Sequence, residues 1–98
     1  MTFDLFKSSL LDDAPPEDVG PVLRALWIEA NGDWDGAHKV IQDMSDRSAA
    51  WVHAYLHRKE GDLTNAAYWY SRAGRELSSF SLDSEWEEIV KGLLVSSA

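Results

Sequence analysis

His53 and His57 stand four residues apart, so on a helix their imidazoles share one face and can reach a common metal ion. His38, the third histidine of the chain, falls on the preceding predicted helix, where it can face the other two. Neutral imidazole suits borderline divalent cations, and Asp and Glu are plentiful enough to supply a further ligand. Against this stand the absence of cysteine and of an HExxH motif, and a face shared with Ala50 and Ala54, where histidine is ordinarily a buried, hydrogen-bonded side chain. The expectation is therefore a structural cluster with no metal and no other cofactor. A small-ligand or metal site at His38, His53 and His57 is the alternative.

Catalysis is not the expectation. His38 beside an acidic neighbour has the chemistry of a general base, but no nucleophile is marked for it to activate. The serines lie mainly at Ser8-Ser9, Ser78-Ser79, Ser81 and Ser96-Ser97, in capping or terminal contexts, and there is no GxSxG elbow. Gly32 and Gly61 are isolated helix-ending glycines, not a phosphate-cradling loop. No catalytic residue is assigned.

The elements that must position these side chains are read from apolar spacing and turn residues. Leu26 to Ala37 and Tyr55 to Ala66 are two copies of one pattern, 29 residues apart, each a helix, a Gly-Asp turn and a second helix. One helix pair cannot bury its apolar face alone, so two copies predict stacked pairs. Phe3, Phe6 and Leu10 make a short first helix, broken by Asp12-Asp13-Ala14-Pro15-Pro16. Pro21 opens the next helix, which runs to Asn31-Gly32. Asp33 caps a helix expected to reach Met44. The next, from near Asp46 to Gly61, has almost no polar face until Arg58 and should be the most buried. Asp62 caps a helix ending at Gly74, and Ser84 with Glu87 has capping-box spacing ahead of a last amphipathic helix.

Charge narrows the function classes. The net charge of −8 on 98 residues argues against a general nucleic-acid binder, whose affinity rests on neutralising phosphates. Both ends of the chain are acidic, whereas residues 47 to 75 hold Arg47, Arg58, Lys59, Arg72 and Arg75 against only Glu60 and Asp62. This segment is also the densest in aromatic residues. No apolar run approaches the length of a membrane span and no signal-peptide pattern opens the chain, so the expectation is a cytoplasmic protein that does not bind membranes. With no cysteine, a disulfide framework is excluded.

The repeated pattern resembles the tetratricopeptide superfamily, including its Sel-type relatives. The carrying residues are Ala25, Ile28, Ala37 and Ile41 in the first copy and Ala54, His57, Ala66 and Tyr70 in the second; the stretch Asn65 to Ala73 resembles a Sel-type second helix. Trp51 to Asp62 is similar to a stretch shared by a group of small uncharacterised proteins. The resemblance covers roughly residues 21 to 75. It departs from the family in its 29-residue offset, in lacking a proline at the repeat end, and in Pro21 and Ala50 where tryptophan is usual. It implies an all-α single domain over residues 1–98: an N-terminal capping helix (1–14), two helix-turn-helix repeats (19–45 and 46–75) and a C-terminal capping helix (82–95).

The function implied is a protein-binding module or small scaffold. First helices line the concave side in this superfamily, which places Trp51, Tyr55 and Arg58 there, with Lys59 and Arg72 assisting. Aromatic residues ending in an arginine compose a recognition hot spot suited to an acidic or C-terminal peptide. A homo-oligomer that buries this surface against a second copy is a further reading.

Overall fold

Two Gly-Asp turns organise the helices. The computed structural model describes residues 1–96. It contains α1 (Phe3–Ser8), a 3-10 turn (Ser9–Leu11), α2 (Pro21–Ala30), α3 (Trp34–Ile41), α4 (Arg47–Glu60), α5 (Leu63–Ala73) and α6 (Leu82–Ser96). The described residues include no strand, and none of their helices is long and apolar enough to cross a membrane.

Gly32 and Gly61 have φ of 94° and 92°, a left-handed conformation that costs a glycine little and other residues much. The aspartate after each glycine then caps the next helix: Asp33 accepts from the Gly36 amide at 2.8 Å and Asp62 from the Asn65 amide at 3.2 Å. These connections are so short that each pair must double back, and α2 packs mainly on α3 and α4 mainly on α5. Ala25, Ala37, Ala54 and Ala66 are fully buried, as close helix approach requires.

The first and last helices pack on each other, and α6 also lies on α2 and α4. Phe6 of α1 is fully buried and packs on Trp86 of α6, with ring centroids 5.9 Å apart. The Trp86 indole donates to the Leu26 carbonyl, and the Trp27 indole to that of Ser9. Every residue from Ala49 to His57 of α4 is buried, because α3, α5, α2 and α6 all pack around this helix. The result, with a radius of gyration of 12.4 Å, is a compact body near the roughly 13 Å expected of a globule this size.

Three local expectations need correction. The helix from Trp34 stops at Ile41, three residues short of Met44, whose amide closes a turn onto the Ile41 carbonyl. The first helix ends at Ser8 and passes through the 3-10 turn, so it does not fill residues 1–14. Ser81 does the capping work expected of Ser84, its hydroxyl accepting from the Ser84 amide at 3.1 Å.

Candidate functional site

The three histidines converge where α4 meets α3. His53 and His57, one turn apart on α4, stack at 4.9 Å with planes 26° apart. His38 reaches them from α3, its ring 4.7 Å from His53 and 5.4 Å from His57. Its Nε2 lies 3.0 Å from His53 Nε2. Each imidazole offers a ring nitrogen within 4.8 Å of the others.

Aromatic walls hold the rings. Trp34, one turn before His38 on α3, stacks on it at 5.0 Å and 9°. Trp69 of α5 stacks on His53 at 3.8 Å and 14°. Trp34 is itself pinned, since its indole donates to the Leu56 carbonyl of α4 at 2.7 Å. Glu60 Oε2 lies 2.6 Å from His57 Nδ1, which fixes that ring and leaves Nε2 as its other nitrogen.

Burial sets the charge state. His53 is 4% exposed, and desolvation lowers its pKa to about 4, with the nearby His38 and His57 acting in the same direction. His38 is half-buried and also lowered, by desolvation first and His57 second, while Glu60 and Asp35 oppose the shift. At neutral pH both rings are uncharged and keep a lone pair. Because only one proton can lie between the facing Nε2 atoms, one ring donates and the other accepts. A divalent cation can take the place of that proton.

The surface expected at Trp51, Tyr55 and Arg58 is not open. Trp51 is 6% exposed and Tyr55 2%. Arg58 donates to Glu85 Oε1 at 2.8 Å and to the Phe80 carbonyl, and the Arg75 guanidinium covers the Trp51 ring at 3.3 Å from its centroid. The reason is α6, which lies along α4 and packs Gly92 against Trp51. Lys59 is half-exposed but pairs with Glu29, on a different side of α4 from the histidines. Arg72 donates to the Tyr68 hydroxyl at 3.1 Å and lies over the Tyr68 and Trp69 rings, on the exposed side of α5. The five residues therefore do not form one recognition face.

The imidazoles stand out in the sequence, whereas their supports differ in how far they do. Trp34 and Glu60 carried a usable signal, four residues before His38 and three after His57. Trp69 carried none, because it reaches His53 only through the packing of α5 on α4. Comparison of the chain with protein-family models, curated proteins and solved structures finds no match.

Proposed function

We propose that the protein binds a divalent transition-metal ion through His38, His53 and His57, on a two-hairpin scaffold of the tetratricopeptide-like type. The observation that carries this reading is the convergence of three ring nitrogens within 4.8 Å of one another. A tetrahedral ion with bonds of roughly 2.0–2.1 Å needs ligand atoms only about 3.3 Å apart, so small ring rotations suffice. The neutral His38 and His53 rings supply the protonation state a metal ligand needs, and a carboxylate on His57 Nδ1 and stacked indoles supply the orientation. Three protein ligands leave a further coordination position for water or a small ligand. All-imidazole donors favour zinc, nickel, cobalt or copper over calcium or magnesium.

The tetratricopeptide-like assignment rests on the paired turns and on Ala25, Ala37, Ala54 and Ala66 at the close approaches. Peptide recognition by Trp51 and Tyr55 would require side chains that are buried, which favours the imidazoles as the site of this proposal.

Titration of chelator-treated protein with cobalt(II), followed by its ligand-field absorption, tests the reading. One ion should bind per chain, with affinity falling at least 100-fold in His53→Ala and about 10- to 100-fold in Glu60→Gln. Absence of a saturable band, or an unchanged band in a His38→Ala/His53→Ala double variant that still folds, would reduce the cluster to a hydrogen-bonded packing motif.

A further inference from the structure

Where the second hairpin meets α6, an open cleft of about 470 Å³ is bordered by Arg47 and Ser48 at the start of α4, Gly74 and Arg75 just past α5, and Gly92 and Leu93 of α6. Among the described residues, no carboxylate lines it. Arg58, Lys59 and Lys91 each hold a carboxylate, whereas the side chains of Arg47 and Arg75 form neither ion pair nor hydrogen bond with any described residue. Both guanidiniums are held at one end of α5. Arg75 covers the Trp51 ring at 3.3 Å from its centroid, which occupies one face of its plane and leaves the N–H edge to donate. Arg47 Nη1 lies 3.4 Å from where a Cβ on Gly74 would stand, against the residue that precedes Arg75.

This is uncompensated positive charge that a ligand can reach, since Arg47 and Arg75 are exposed and Ser48 is half-buried. The nearby acids do not cancel it. Asp46 precedes Arg47 but does not line the cleft, and Glu76 and Glu88 border a neighbouring cavity with Arg75 without pairing to it. The start of α4 and the end of α5 both border the cleft, so their dipole charges of roughly half a unit have opposite signs and offset each other. Two guanidiniums match an anion with three oxygens and close to two charges, as a phosphomonoester has at neutral pH, better than a carboxylate with two oxygens and one charge. We infer that the cleft binds a small phosphomonoester, whose phosphoryl oxygens accept from Arg47, Arg75 and the Ser48 hydroxyl and whose organic group rests on Ala73 and Leu93. The site is separate from the imidazole cluster, because Trp51 in its lining is two residues from His53 and points about 200° away around α4.

The test is an amide and indole NMR titration of the chelator-treated full chain with phenyl phosphate. Benzoate and benzyl alcohol serve as singly charged and neutral controls, and inorganic phosphate as the bare ion. Phenyl phosphate should shift the Trp51 indole and the Ser48 and Gly74 amides saturably, about tenfold or more tightly than either control. Arg47→Gln should weaken it about tenfold by removing charged hydrogen bonds. Arg75→Gln should do the same; should that variant fail to fold, exposed Arg47 decides alone. Arg72→Gln removes a charge outside the cleft and should change affinity less than about twofold, and His53→Ala should leave it unchanged. Inorganic phosphate should bind more weakly than phenyl phosphate, and equal affinity overturns the contact with an organic group. No saturable shift, equal binding of benzoate, or equal losses in Arg72→Gln and Arg47→Gln overturns the whole proposal, leaving two solvated arginines on an acidic protein.

Discussion

The two hairpins share a backbone plan and differ in what they carry. Each turns on a left-handed glycine followed by a capping aspartate, and each buries a pair of alanines where its helices approach. At the positions 29 residues before His53 and His57, however, the first hairpin has Arg24, which is exposed, and Ile28, which is half-buried. The first hairpin therefore packs its helices without histidine at these two positions and gives the cluster only His38, from α3. The hairpin plan does not require histidine at these positions; the pair stands on the α4 face that meets α3, where His38 joins it, and α5. The same offset relates Glu29 to Arg58, and here both hairpins bury charge, Glu29 against Lys59 and Arg58 against Glu85. The fold supplies the frame, and a few polar residues in it supply whatever chemistry there is.

The largest effect that would sharpen this comparison lies at Arg58. Glu85 is 1% exposed and held by Arg58 and the Tyr70 hydroxyl, so Arg58→Ala leaves a buried carboxylate short of its cation. Urea unfolding should show a loss of about 3–5 kcal/mol. A wild-type midpoint would mean that Glu85 finds water instead. The second effect tests the equivalence of the hairpins directly. Ala37→Leu and Ala66→Leu, both at fully buried positions, should each cost roughly 1–3 kcal/mol by overpacking, while exposed Lys39→Ala should stay within about 0.5 kcal/mol of wild type. A cost confined to one hairpin would break the shared register.

The smallest effect is pH-dependent and belongs to the second hairpin. With His53 lowered to about 4 in the folded protein against an ordinary 6.5, the unfolded chain binds protons first as pH falls. His38 shifts in the same direction. Stability of the metal-free protein should therefore be level above pH 6.5 and decline below it, by about 1–2 kcal/mol at pH 5. Thermal melts should move down accordingly, and less steeply in His53→Gln. A midpoint unchanged between pH 7 and pH 5 would mean that these rings are not buried neutral.

How much of this was legible follows from the range of each interaction. The helices and their turns were readable because glycine, aspartate and apolar spacing act within a few residues, as at Asn31-Gly32-Asp33 and Gly61-Asp62. Boundaries decided by competition between neighbours were not: α3 yields at Ile41, and Ser81 rather than Ser84 caps α6. The histidine pair showed in the sequence because one turn of helix brings its members together. Its aromatic clamp did not, since Trp69 lies on another helix. The burial of Trp51 and Tyr55 was equally hidden: an aromatic-rich helix face looks the same as a surface or as a core until the position of α6 is known.

The central claim is that His38, His53 and His57 close on one ion. X-ray absorption at the zinc edge, recorded on protein loaded with one zinc per chain, reads the ligands directly. The account predicts three imidazole nitrogens at about 2.0–2.1 Å, reduced by one in His38→Ala. A shell of water and carboxylate oxygens, unchanged in that variant, would contradict it.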